Sequence, residues 1–356
     1  MMEALLERFG DGVTLMLIGG LVGVVFGASA QHSRFCLRAA TVEVSEGSLG
    51  PKLAIWLVAF TAAVLFVQLA VVTGYLELTD VRQLATAGSL SGALIGGFMF
   101  GVGMILARGC ASRLLVLSAT GNLRALVTGL VLTLVAQASL RGALSPMREA
   151  IAGLWTVPGG EARDMLARLG ISHEIAAVAA AFGLVIALGM AVRAGLERSR
   201  YIAAVFVGVA VGLGWVLTYA VSQVSFEVVP VGSVTFTGPS TDTLMGLVNA
   251  PDMPASFGVG LVPGVFLGAG AMALWRREFK LQRFGPETPM ERYLIGAFLM
   301  GFGAMLAGGC AVGAGMSGGA VFSLTAWLAV FAMWVGATLA HRLLGQTTAQ
   351  AAAGTP

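Results

Sequence analysis

Apolar stretches close to the ~20 residues that cross a bilayer as a helix recur along the whole chain, separated by short polar connections. They cover residues 12–30, 53–74, 90–107, 123–140, 174–192, 201–219, 257–275, 293–307 and 321–343, which predicts nine crossings. Shorter apolar pieces lie between them. Residues 37–44, 111–119 and 311–319 each follow a Gly-rich or polar interruption and are too short to span. Residues 222–229 and 241–249 read as counterparts of the first piece. The pattern predicts an all-α integral membrane protein with about nine transmembrane helices plus short half-membrane helices.

The polar positions give an orientation. Arginines and lysines gather in alternate connections: Arg34, Arg38 and Lys52; Arg113 and Arg124; Arg193, Arg198 and Arg200; and Arg276, Arg277, Lys280, Arg283 and Arg292. The intervening connections hold Glu77 and Asp80, then Glu149, Glu161 and Asp164 offset by arginines. Basic connections stay in the cytoplasm, so the N-terminus is expected outside and the C-terminus inside. Residues 1–11 are short and on balance acidic, unlike a cleavable signal, so the first apolar run is read as a helix that stays. Composition agrees: 57% of residues are hydrophobic and 11% charged, against roughly 25% charged in soluble domains. A net charge of +3 gives no reason to expect nucleic-acid binding.

The chain repeats itself. Residues 94–111 read LIGGFMFGVGMILARGCA and residues 294–311 read LIGAFLMGFGAMLAGGCA, with 11 identities in 18 positions at an offset of 310 − 110 = 200. Four crossings, a connector and four crossings would turn the second half upside down, giving an inverted pseudo-two-fold repeat. The expected divisions are residues 1–145 as the first repeat, 146–195 as external linker and connector helix, 196–345 as the inverted repeat, and 346–356 as a cytoplasmic tail. Pro146, Pro158 and Gly159–Gly160 mark the linker, which reads as an amphipathic surface helix. The symmetry weakens where Ser33-Arg34-Phe35-Cys36 meets Ser225-Phe226-Glu227 and an insertion through Asn249, leaving three cysteines instead of four.

Each cysteine follows a helix break. Cys110 follows Arg108-Gly109, Cys310 follows Gly308-Gly309, and Cys36 follows the polar stretch 29–34. Irregular backbone at membrane depth is tolerated where it is buried in protein or lines a cavity. A short helix starting there points its free N–H groups at the membrane centre and makes an anion site with a thiol at its mouth. A membrane cysteine more often serves as a small buried apolar residue; matched breaks favour the functional reading. Arg108 reads either as an anion contact or as a side chain snorkelling to the interface. Zinc is disfavoured, since only His32, His173 and His341 exist and none shares a helix face with a cysteine. No catalytic set, metal site or cofactor is expected, and the chain does not read as an enzyme.

The motifs SRFCLRAA around Cys36, ARGCAS around Cys110 and AGGCAVGAG around Cys310 resemble the YeeE/YedE family of sulfur-compound transporters over essentially the whole chain. That resemblance implies an hourglass-shaped protein that takes up thiosulfate, with Cys36, Cys110 and Cys310 lining the path beside Gly109, Gly308, Gly309 and Arg108. It also implies a TusA-type sulfur-carrier protein on the cytoplasmic side, here as a separate chain because residues 341–356 are too few to form one. Thiosulfate is a dianion with a large polarizable sulfur, which suits weak S–H donors provided the thiols are neutral. Transport of a sulfate-like anion or a selenium compound, a membrane thiol redox protein and a structural subunit are the other readings.

Overall fold

The computed structural model describes residues 2–79, 81–249, 253–284 and 290–353; Met1, Asp80 and residues 354–356 of the expected tail lie outside them. The helices are α1 (Met2–Ser33), α2 (Leu37–Ser45), α3 (Pro51–Val72), α4 (Arg82–Ala85), α5 (Leu90–Leu106), α6 (Ala111–Ala119), α7 (Leu123–Arg141) and α8 (Ser145–Gly153). Then come α9 (Met165–Leu169), α10 (His173–Arg193), α11 (Arg198–Ser222), α12 (Thr237–Asn249), α13 (Phe257–Trp275), α14 (Met290–Ala307) and α15 (Leu324–Ala353). Residues Gly313–Gly318 form a π-helical turn. A two-residue strand β1 (Gly88–Ser89) pairs antiparallel with β2 (Thr156–Val157). Among the described residues, nine helical spans are long and apolar enough to cross a membrane, and they match the nine apolar runs. Residues 346–353 of the expected tail continue α15.

Side chains set where several helices start. Ser89 Oγ accepts from Gly92 N–H (2.7 Å), Asn122 Oδ1 from Ala125 N–H (2.9 Å) and Ser256 Oγ from Val259 N–H (3.3 Å). Each satisfies one of the backbone donors that a helix N-terminus leaves free. Buried Glu43 on α2 accepts from Leu53 N–H (2.8 Å) and so caps α3 from a neighbouring helix.

The helix pairs follow a rule of exchange. α1 packs on α13 as α11 packs on α3, and α5 packs on α15 as α14 packs on α7. α2 packs on α3 as α12 packs on α13, and α6 packs on α7 as the π turn packs on α15. α10 lies outside this scheme, against α3 and α11. Glycines bring the central pairs together. A Cβ on Gly96 would stand 2.5 Å from the Gly303 carbonyl oxygen, and one on Gly303 would stand 2.6 Å from that of Gly96. Gly103 and Gly296 are related the same way, at 2.7 Å in each direction. On the α1–α13 seam, Gly19, Gly23 and Gly27 face carbonyls of α13, and Gly260, Gly264 and Gly268 face carbonyls of α1. Small residues at this spacing let helix backbones touch where lipid gives no hydrophobic drive for association.

Two expectations need correction. Residues 222–229 are not a second half-helix: α11 ends at Ser222, and Phe226 and Val228 stand fully exposed in the loop beyond it. The second short helix is α12, which starts at Thr237 rather than 241. The linker is not one surface helix either, because Pro158 and Gly159–Gly160 break it into α8, β2 and α9. Its Arg163, only 7% exposed, donates to the Thr86 carbonyl and to Thr325 Oγ1, both at 2.6 Å, and straps the linker over the start of α15.

Gly264→Ala should force α1 and α13 apart and cost about 1–3 kcal/mol, as overpacking does. Gly153→Ala, where nothing lies within 4 Å of the added carbon, should change stability by less than about 0.5 kcal/mol. Thermal unfolding of both variants in detergent checks the contrast.

Candidate functional site

Three helices end in one way, and each ending is followed by a cysteine. Arg34 (φ 58), Arg108 (φ 55) and Gly308 (φ 78) take the left-handed conformation just past α1, α5 and α14. The next N–H then reaches back across the last turn: Phe35 to the Ala30 carbonyl (3.2 Å), Gly109 to Met104 (3.1 Å) and Gly309 to Ala304 (2.9 Å). This closing bond satisfies carbonyls that the helix end would otherwise leave bare in an apolar setting. The residue after it turns into a new short helix. The Cys36 carbonyl accepts from Ala40, that of Cys110 from Leu114 and that of Cys310 from Ala314. Every thiol therefore sits at the N-terminal end of a short helical piece: α2, α6 or the π turn.

All three cysteines are free and buried. Gly109 and Gly309 are buried beside them, and a Cβ on Gly309 would stand 3.0 Å from Ala314 N, a tight approach that glycine eases. Arg108 and Gly308, which hold the same place in the two motifs, are exposed. The thiols fall into two groups. Cys36 and Cys110 are neighbours, and Cys110 Sγ lies 3.3 Å from Ser112 Oγ. Cys310 Sγ accepts from Gly313 N–H (3.5 Å) and lies 3.9 Å from Thr235 Oγ1. No Cys110–Cys310 contact is among those of the described residues.

Cations flank both groups. Arg38 and Arg113 lie within electrostatic reach of Cys36, and their Nε and Nη1 atoms are buried without a hydrogen-bond partner among the described residues. Arg34 is already tied to Glu278 (3.6 Å). Near Cys310, a polar cavity of about 370 Å³ opens over Gly308 and Gly313 and is lined by Arg82, Arg148, Arg163 and Thr325, with no carboxylate in its walls. Burial, then the like charge of Arg82, lowers the Arg163 pKa. Arg148 is already paired with Glu149 (2.9 Å), which leaves Arg82 and Arg163 as the cavity cations without an ion pair among the described residues, a setting that fits an anion. Among the described residues, no group of three His, Cys, Asp or Glu side chains could hold a metal ion.

The sequence singled out the three cysteines and their glycines as candidates; Thr235, Ser112, Arg38, Arg113 and the cavity arginines, which the structure sets near them, were not among its candidates. Arg38 and Arg113 carried a signal, each three residues or fewer beyond a cysteine on a short helix; Thr235 carried none.

A profile of the sulphur transport family matches residues 32–339. The thiosulfate transporter TsuA of Spirochaeta thermophila is 31% identical over 329 residues, which cover 87% of this chain and 93% of that protein. The Escherichia coli thiosulfate transporter TsuA is 25% identical over 366 residues, covering 92% of this chain and 95% of its own. The probable transporter YedE of E. coli is 35% identical over 82 residues, or 23% of this chain and 20% of that one.

The helix ends themselves can be tested. A side chain in the left-handed region costs about 1–2 kcal/mol, which glycine avoids. Gly308→Ala should lose about that much, although nothing lies within 4 Å of the added carbon. Arg108→Gly should gain up to about 1 kcal/mol. Melting temperatures of the purified variants decide it; equal shifts of one sign would reject the matched-end geometry.

Proposed function

The chain belongs to the sulphur transport family, and from that premise we propose that it takes up thiosulfate, or a closely related sulfur anion, through a central path lined by Cys36, Cys110 and Cys310. It is a multi-pass membrane transporter rather than an enzyme. The observation that carries the finer reading is the set of three free, buried thiols, each at the head of a short helix behind a matched helix end. Two thiosulfate transporters that align with nearly the whole chain support the same substrate.

The anion enters by the arginine-lined cavity over Gly308, where Arg82, Arg148 and Arg163 offset its charge. It passes Cys310, then the Cys36–Cys110 pair, and leaves past Arg38 and Arg113. The thiols stay neutral, since a thiolate would repel a dianion and could donate no hydrogen bond. Weak S–H donors suit a path that must release what it binds. Residues 1–145 and 196–345 form an inverted repeat around this path, joined by the linker and connector 146–195. The exchange of helix partners and the reciprocal glycines of α5 and α14 support that reading. The protein lies in the bacterial inner membrane as an hourglass with its N-terminus outside and residues 346–356 in the cytoplasm. A separate TusA-type carrier collects the sulfur there.

Cys310→Ala should abolish uptake of labelled thiosulfate by cells, and Cys110→Ala should nearly do so. Serine, with a harder and smaller donor, should rescue poorly. Losing one net hydrogen bond of roughly 1 kcal/mol would slow passage only several-fold, so complete loss points to a blocked path or to sulfur chemistry at the thiol. Normal uptake by correctly inserted protein lacking all three cysteines would leave only the arginines and helix ends as the anion path.

Orientation has its own test. Reporter fusions within residues 147–172 and 193–200 should lie on opposite sides of the membrane, the first outside. Finding both on one side would break the four-plus-one-plus-four arrangement.

A further inference from the structure

Thr235 holds, beside Cys310, the place that Cys36 holds beside Cys110. Cys36 stands just ahead of α2 and neighbours the thiol at the head of α6. Thr235 stands just ahead of α12, and its hydroxyl meets the thiol at the head of the π turn, 3.9 Å away. The surrounding helices exchange in the same way: α2 packs on α3 and α15, and α12 packs on α13 and α7. One thiol–thiol pair thus faces one thiol–hydroxyl pair.

The segment that carries Thr235 is rigid. Ser233 Oγ donates to the Val211 carbonyl (2.5 Å), and Ser317 Oγ of the π turn donates to the Val234 carbonyl (2.6 Å). Val234 and Phe236 on either side are fully buried, whereas Thr235 is half-buried. Its hydroxyl lies over Gly313, where a Cβ would run into it, and Gly313 also lines the arginine cavity. Most threonines in the membrane helices spend the hydroxyl on a carbonyl one turn back, as Thr128, Thr133, Thr218 and Thr241 do. Thr235, outside a helix, has no such carbonyl, and the long contact to Cys310 is the one described for its hydroxyl.

We propose that Thr235 and Cys310 form a two-ended recognition site behind Gly313, which lines the cavity, for an anion with hard oxygens at one end and a soft sulfur at the other. The Thr235 hydroxyl donates to an oxygen, and the Cys310 thiol meets the terminal sulfur. Thr235 is therefore a specificity-determining residue that aligns the anion before it reaches the thiol pair. The proposal rests on the thiosulfate reading above.

The test is the concentration dependence of labelled thiosulfate uptake, with surface expression measured for each variant. Thr235→Val, which keeps the shape and removes the donor, should raise KM about tenfold and leave the maximal rate within about twofold. Thr235→Ser should restore KM to near that of the unchanged protein. Gly313→Ala, which presses a methyl group against the hydroxyl while residue 235 stays a threonine, should raise KM in the same way and covers the case in which the valine variant inserts poorly. An unchanged KM in both Thr235→Val and Gly313→Ala would overturn the proposal, as would a Thr235→Ser variant as impaired as Thr235→Val. Cys310→Ala run alongside separates the two readings. Lost uptake in Cys310→Ala with normal KM in Thr235→Val removes only the role of Thr235, whereas normal uptake in Cys310→Ala removes the thiol path itself.

Discussion

The close approach of α5 to α14 is the constraint on which the centre of this protein depends. Both helices stop short and turn into new pieces, so each exposes carbonyls and N–H groups at a depth where lipid cannot satisfy them. The helix ends deal with the carbonyls by reaching back one turn, from Gly109 to Met104 and from Gly309 to Ala304. That bond needs a left-handed residue directly before it. Arg108 and Gly308 meet the requirement at different cost, because only glycine enters that region freely. The ends must also be covered by protein. Gly96 against Gly303 and Gly103 against Gly296 bring the two backbones near enough to bury them. A helix pair held at ordinary side-chain distance would leave room for lipid at the breaks.

In the proposed reading, the breaks create an electrostatic path built largely from neutral parts. Free N–H groups of α2, α6 and the π turn offer partial positive charge, and thiols offer weak, polarizable donors at the same points. Arg163 is bound to Thr86 and Thr325 and Arg148 to the Ser139 carbonyl, so their charges are fixed in place rather than free to follow an anion inward. Arg38 and Arg113 keep buried donor atoms open beside the thiol pair. Cations that attract and narrow segments that bind weakly together favour flux over retention.

Much of this was legible in the chain, for reasons of scale. A membrane crossing is a local property of about 20 residues, so all nine spans were readable, and 257–275 and 111–119 were placed to the residue. The broken ends were readable because glycine marks them and because the motif occurs twice. What failed was tertiary. Nothing local says that Phe226 and Val228 lie outside while Val231–Phe236 returns to the core, since both stretches are apolar. Sequence comparison therefore set Cys36 against Glu227, eight positions before the residue that structurally takes its part. The linker hid for a different reason: Arg163 looks like any surface charge until the Thr86 and Thr325 partners, far away in the chain, are in place.

The unequal partners of the two cysteine pairs bear on why an internally repeated protein would lose symmetry at its centre. With identical halves, an anion would meet the same donors from either side and could lie in either direction. Placing the threonine hydroxyl where the other half has a thiol breaks that degeneracy by exchanging a soft donor for a hard one. It does so without a charge, which would hold a dianion too tightly to let it go. The longer connection ahead of α12 follows from the same change. Cys36 sits directly behind a left-handed helix end, so its place is set by three residues. Thr235 has no such end before it, and its segment is instead held by Thr218 and Ser317 side chains that donate to its backbone carbonyls and by its own Ser233, which donates to the Val211 carbonyl. Side-chain clamps thus do for Thr235 what backbone closure does for the three cysteines, and in the proposed site they leave its hydroxyl as the one donor of the four whose position is set independently of a helix end.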